Sequence, residues 1–485
     1  MEILMAVWEF FQNNVLTKPQ FFVGLIVFVG YLLLQKPFYE AFAGFIKAVV
    51  GYMILMVASG GLVGNFRPVL AGLKDRFDLS AAVIDPYFGQ AAAQASVESV
   101  GRSFSMMMLV LLIAFSFNLI LVLFRRYTKI RTLFITGHVM VQQSSTALWL
   151  VLFCFPQLQD AGVVVMLGIL LGTYWSVASN LTVEPCQELT EGGGFATGHQ
   201  QMFGIWFVSK IASKIGDKKK SIENIKLPGF LSIFNENVVA TGILMLFFFG
   251  AIITILGPDM MHKIDKSFSP NQNFAFYIVE KSFNFSVYLT ILQLGVRMFV
   301  SELTESFQGI SNKILPGSMP AVDCAATYGF GHPNAITIGF LFGALGQFTA
   351  IIGLLVFQSP ILIISGFVPL FFDNATFAVF ANKLGGIKAA VIITFCSGVI
   401  QVLGGGFAAY YFMTGKFGGW HGNFDWDTLW PAIGVIMNYG QYVGVAAVVI
   451  CLLAIPQVIY RQNKDTYFLI AEDYDKYLEV KGEKE

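Results

Sequence analysis

Side chains able to bind a ligand stand in the middle of an apolar run, in Thr136-Gly137-His138-Val139-Met140-Val141-Gln142-Gln143. The surrounding segment, 133–155, has enough Leu, Val, Phe and Trp to span a bilayer, yet it also carries Ser144, Ser145 and Thr146. Polar groups at that depth are costly and face a cavity or a partner helix. His138 and Gln142 are four residues apart, so a helix projects both from one face. The same chemistry recurs at Gly198-His199-Gln200-Gln201, after the glycines at 192–194. A glycine-rich approach into a helix there would leave backbone N–H groups free for an anion. Asp323 is the sharpest lone carboxylate: Pro316, Gly317 and Pro320 break the chain before it, and Ala325 and Ala326 leave room after it. A lone acid at membrane depth marks a functional site by default. An amide offers donor and acceptor, and a neutral imidazole offers one of each. The combination suits a small, hydroxyl-rich, anionic ligand.

Each group also has a plainer reading. His138 with Gln142, and His199 with Gln200, could be glue between helices, and Asp323 could be paired with a base. Tyr87, following Asp85-Pro86, could bond or stack on a ring, or be an interfacial tyrosine. Arg297, Glu302 and Glu305 read as a solvated or paired mouth rather than a ligand site, and His262, His332 and His421 fall in loops without an assigned role.

The elements that must position these groups are membrane helices. Of 485 residues, 56% are hydrophobic and 12% charged, with a mean hydropathy of +0.68; a soluble domain carries about 25% charge. Glycine, at 48 residues, is commoner in membrane helices than in soluble ones. A net charge of zero gives no reason to expect nucleic acid. The five cysteines show no paired spacing and read as small buried hydrophobes. No metal and no cofactor is expected, and no phosphate-binding loop or nucleophile elbow appears. Residues 1–19 lack a basic leader; Leu4, Trp8, Phe10 and Phe11 read as a short interfacial helix.

Apolar runs long enough to span lie at 20–35, 44–64, 103–124, 132–155, 161–182, 236–257, 273–297, 335–358, 386–411 and 430–456. One more crossing within 297–334 completes the topology. The fold class expected is an all-α polytopic membrane protein of about 11 transmembrane helices in two repeats. Segments 85–103, 316–333 and 358–386 are too polar or too broken for ordinary spans and read as re-entrant hairpins. They follow comparable stretches in the two halves, Gly51-Tyr52-Met53 and Gly295-Val296-Arg297-Met298, a pattern of transporters with a site at the repeat interface. Basic residues put Arg125, Arg126, Lys129, Arg131 and the 183–235 connection on the cytoplasmic side, with 156–160 and 412–429 outside. Residues 1–460 then form the membrane domain and 461–485 a charged cytoplasmic tail, with the N-terminus periplasmic.

Several motifs in order carry a resemblance. Arg131-Thr132 leading to Thr136-Gly137-His138 and Gln142-Gln143, Gly198-His199-Gln200-Gln201, Lys226-Leu227-Pro228-Gly229, Gly295-Val296-Arg297-Met298-Phe299-Val300, Ile314-Leu315-Pro316-Gly317 with Asp323-Cys324-Ala325-Ala326, and Asn374-Ala375 with Phe380-Ala381-Asn382 all belong to it. The chain, to about residue 456, resembles the ascorbate-specific permease (EIIC) of the bacterial phosphotransferase system. That resemblance implies an inner-membrane homodimer that takes L-ascorbate from the periplasm. It presents the ligand to cytoplasmic EIIB, itself charged by EIIA, and EIIB phosphorylates it. A substrate-holding core would move in elevator fashion against a V-shaped dimerising part. Carried over by motif, the binding positions are Pro86, Tyr87, His138, Val139, Met140, Val141, Gln142, His199, Gln200 and Asp323, with Asp323 a possible base. The family commonly has Thr where Pro86 stands, and proline offers only its carbonyl. The alternatives are an ion-coupled secondary transporter of a sugar acid, with Asp323 or a histidine carrying the proton, and a membrane-embedded enzyme, which lacks a visible nucleophile–base pair.

Overall fold

The computed structural model describes residues 18–77, 80–225, 228–315 and 318–482. The expected interfacial helix at the start, Lys226, Pro316 and Gly317 lie outside the described residues, as does the side chain of Arg297.

Helices dominate because apolar runs dominate, and every run named above falls on one. In the first half these are α1 (Pro19–Leu33), α2 (Phe38–Phe77), α3 (Pro86–Ser99), α4 (Met106–Leu123), α5 (Gly137–Cys154), α6 (Asp160–Leu181), α7 (Val183–Thr190) and α8 (Met202–Ile215). The second half has α9 (Asn237–Leu256), α10 (Phe274–Ile314), α11 (Pro333–Val356), α12 (Asn374–Tyr411) and α13 (Leu429–Gln462), with α14 (Leu469–Glu472) and α15 (Tyr474–Lys481) in the tail. Among the described residues, seven helices are long and apolar enough to cross a membrane. The stretch 297–334 does not supply a separate crossing helix. Instead α10 runs unbroken to Ile314, followed by a strand and a 3-10 turn at Cys324–Phe330. The apolar 358–386 is likewise a strand leading into helix, and α12 bends at Gly386. That glycine has φ 65°, and a Cβ there would lie 2.3 Å from the Asp217 carbonyl, so the bend requires glycine.

Among the described residues, six short strands, unforeseen from the sequence, build two parallel sheets. They are β1 (Ser80–Ile84), β2 (Thr132–Phe134), β3 (Ala196–Thr197), β4 (Met319–Val322), β5 (Ile361–Ser365) and β6 (Gly419–Trp420). One sheet has the order β5-β1-β6 and the other β2-β4-β3. Each central strand follows a very long helix: α2, of 40 residues, precedes β1, and α10, of 41 residues, precedes β4. Exchanging β1 with β4, β2 with β5 and β3 with β6 converts one sheet order into the other. Register is set by pairs such as Val83 with Ile364 and Gly419, and Ala321 with Phe134 and Ala196.

The two long helices meet backbone to backbone. A Cβ on Gly295 of α10 would lie 2.6 Å from Leu55 N and 2.7 Å from Gly51 O of α2, the close approach that small residues allow between membrane helices. Farther along, Glu302 accepts from Tyr31 at 2.7 Å and Lys47 at 2.9 Å, and Glu305 pairs with Lys36. These two acids are therefore paired, as expected of a structural mouth.

The charged tail folds back rather than trailing in solvent. Ile470 and Tyr477 are buried against Val183, Ala196, Met319 and Ala321, beneath the β2-β4-β3 sheet. Arg131 clamps it: Nη1 donates to Tyr467 O at 2.5 Å and Glu184 Oε1 at 2.8 Å, and the guanidinium lies 3.8 Å from the Tyr467 ring centroid.

Candidate functional site

Parallel strands end together, so the residues just past their carboxyl ends gather at one place, where open parallel sheets usually bind ligands. Past β1 come Asp85, Pro86 and Tyr87; past β2, Thr136 and His138; past β3, His199 and Gln200; past β4, Asp323; past β6, His421. The two sheets face one another through these ends, because His421 Nε2 reaches Gln200 Oε1 at 2.9 Å.

Each side chain is set by a local device. Asp85 caps α3 by accepting from Tyr87 N at 3.0 Å, with Pro86 in the first turn where no N–H is needed. Its other oxygen accepts from Val368 N at 3.2 Å. Tyr87 is buried beside Asp85, at the head of α3. Asp323 makes the same kind of cap in the other sheet, accepting from Ala325 N at 2.9 Å, and its Oδ2 lies 3.3 Å from His138 Nε2. His138 Nδ1 is buried without a partner among the described residues. The His138 and His199 ring centroids are 6.1 Å apart.

The glutamines form a chain. Gln200 donates to Gln142 Oε1 at 2.8 Å and accepts from Gln143 Nε2 at 2.8 Å. Trp175 Nε1 in turn donates to Gln143 Oε1 at 2.6 Å. His421 Nδ1 meets Thr146 Oγ1 at 2.8 Å, one turn beyond Gln142 on α5. Two neighbouring clusters result: an amide chain from Gln142 through Gln200 to His421, and a trio of His138, His199 and Asp323. Amide and imidazole groups in such a chain fix one another's donor and acceptor faces.

Residues 14–427, more than half of the chain, match the family described as the PTS system sugar-specific permease component. The chain belongs to that family. It is 34% identical over 433 residues to an ascorbate-specific PTS system EIIC component of Mycoplasma pneumoniae, covering 81% of this chain and 65% of that protein. The chain thus spans slightly less than two thirds of that relative's length.

In this permease the structure brings together Tyr87, His138, Gln142, His199, Gln200 and Asp323. Val139, Met140 and Val141 lie wholly within the apolar core and give the site the spacing between His138 and Gln142. Pro86 is buried at the head of α3. One expectation is corrected: the N-terminus of α8 does not offer free N–H groups to an anion, because Phe203 N and Gly204 N donate to Asp425 at 2.9 and 3.1 Å. His421 is the residue that sequence reasoning left without a role. A signal was present, since it follows β6 as His199 follows β3, but seeing it requires the strands. No metal is expected from the spacing, yet His138, His199 and Asp323 each present a ligand atom within 4.8 Å of the others.

Proposed function

We propose that this permease is the translocating subunit of a phosphotransferase system that binds L-ascorbate and yields it for phosphorylation by cytoplasmic EIIB, which EIIA supplies. The observation that carries this reading is the convergence of Tyr87, His138, Gln142, His199, Gln200 and Asp323 at strand ends from both sheets. Neutral amides and imidazoles suit a ligand that is mostly hydroxyl. The enolate belongs near the first turn of α5, whose cap residue Thr136 leaves its side chain out of the capping. Ascorbate is a monoanion at neutral pH, so ionised Asp323 belongs at the hydroxylated tail, where it accepts a hydrogen bond and could orient the hydroxyl to be phosphorylated.

About eleven crossings in two repeats, with the strand-helix units re-entrant, an inner-membrane location, a periplasmic N-terminus and a cytoplasmic C-terminus fit this reading. The exchange of strand orders between the two halves supports the repeat. A homodimer with an elevator-type movement follows from the resemblance. Lys218, Lys219 and Lys220 are exposed on a turn anchored at the α12 bend, where Ile387 N donates to Lys220 O at 2.9 Å, and form the candidate EIIB dock.

The His138–Asp323 pair is also what a proton-coupled transporter of a sugar acid would use, which makes that the second reading. Asp323→Asn separates the two, since Asn keeps the shape and one acceptor but takes up no proton. In vesicles, the phosphotransferase reading expects the variant to keep appreciable ascorbate exchange and to lose phosphorylated product, with no accumulation driven by a pH gradient in either protein. Gradient-driven uptake by the native protein that disappears in the variant would overturn it.

A further inference from the structure

His138, His199 and Asp323 come from three different strand ends, and their ligand atoms lie within 4.8 Å of one another. Two of the three are held by a contact outside the trio that leaves a lone pair for the cluster, while His138 Nδ1 has no partner among the described residues. His199 Nδ1 bonds Gln201 Oε1 at 2.7 Å. Gln201 presents its oxygen there because its amide nitrogen faces Phe372 O and Thr376 Oγ1. Nδ1 therefore carries the proton, and Nε2 keeps its lone pair. Asp323 Oδ1 is engaged by Ala325 N at 2.9 Å, leaving Oδ2 toward His138. A hydrogen bond that fixes the tautomer of a histidine is the usual outer support of a metal ligand. Two imidazoles and a carboxylate on one side, with the remaining positions open, is a donor set that divalent transition metals accept. Bonds of about 2.1 Å place tetrahedral ligand atoms about 3.4 Å apart. His138 Nε2 and Asp323 Oδ2 already stand 3.3 Å apart, so only His199 must close in.

We propose that this trio is a divalent transition-metal site, with zinc as the probe, and that a bound ion excludes the substrate. The lone pairs that would hold zinc are the ones that would receive the ligand's hydroxyls, so one occupant displaces the other. The metal half stands on the trio alone, and the competition half rests on the ascorbate reading. The test uses the full chain, purified in detergent with a tag free of histidine and titrated calorimetrically with zinc chloride. One zinc per chain is expected, weakened at least tenfold in His199→Gln and in Asp323→Asn. Gln142→Ala should keep its zinc while losing ascorbate affinity. Zinc should suppress ascorbate binding in the native protein and a chelator should restore it. X-ray absorption on the zinc-loaded native protein needs no variant: a shell of nitrogen and oxygen with two imidazoles is expected. A sulfur ligand, no binding, or undiminished binding in both variants would overturn the site. Zinc bound through the trio with ascorbate affinity unchanged would overturn the shared position. Zinc bound through the trio by a protein with no ascorbate affinity would support the metal site and sink the functional reading instead.

Discussion

Gln200 is the residue on which the amide chain turns. Its oxygen serves two donors, Gln143 and His421, and its nitrogen is committed to Gln142. Gln142→Ala removes the acceptor for Gln200 and, on the proposed reading, a direct ligand partner, and should weaken ascorbate binding by about 1–3 kcal/mol. His421→Ala acts one step back: it frees the Gln200 oxygen and orphans Thr146, for an expected loss of about 1 kcal/mol. His421→Gln, which keeps a donor, should recover part of that. Calorimetry showing unchanged affinity in Gln142→Ala would return these amides to the role of helix glue. The i, i+4 spacing made His138 and Gln142 legible from sequence, and the repeated His-Gln pair made His199 and Gln200 legible. His421 was not, because its neighbourhood has no helical period and its partner Gln200 is 221 residues away in the chain.

At the scale of elements, hydropathy located the long helices and missed the strands. The strands have between two and five residues, too few for alternation to show, and β1, β2 and β5 are buried along nearly their whole length. Their mostly apolar composition reads as helix, and only pairing across the two halves reveals them. The broken segments were visible as breaks, through Pro86, Pro320 and Gly366, but not as strand-helix units. Contact between α2 and α10 makes a sharper prediction. Gly295→Leu drives a side chain into the α2 backbone, and overpacking of that kind costs about 1–3 kcal/mol or more. Thermal unfolding in detergent should start several degrees lower, whereas an unchanged transition would mean the two helices are free to separate at that point. Gly295→Ala, the smaller intrusion, should fall between.

For the whole molecule, the tail is a structural member of the sheet side of the fold. Cutting the chain after Gln462 uncovers Val183, Ala196, Met319 and Ala321 and leaves Arg131 without Tyr467. Loss of the buried Ile470 and Tyr477 alone should cost about 3 kcal/mol. The truncated protein should therefore unfold earlier than the full chain, and Arg131→Lys should reproduce part of the effect because lysine cannot span the same fork of acceptors. Full thermal stability in the truncated form would mean that the tail only rests on the sheet. Composition alone could show that this segment was charged. Where its few aromatic residues land depends on β3 and β4, which the sequence did not disclose.

The exchange of strands between halves has a consequence for how the protein is made. β1 is the middle strand of its sheet, and both neighbours, β5 and β6, come from the second half. In the other sheet β2 and β3 do not touch; each waits for β4 to come between them. The ribosome delivers about 5–20 residues each second, so β1 emerges roughly a quarter of a minute to a minute before its first partner. Until then its backbone N–H and C=O groups have no mates, at a place where the surroundings offer few substitutes. A nascent chain halted before Met319 would hold three unpaired strands and no completed sheet. An unfinished copy is therefore told apart from a finished one by exposed strand backbone, which only the second half of the chain can cover.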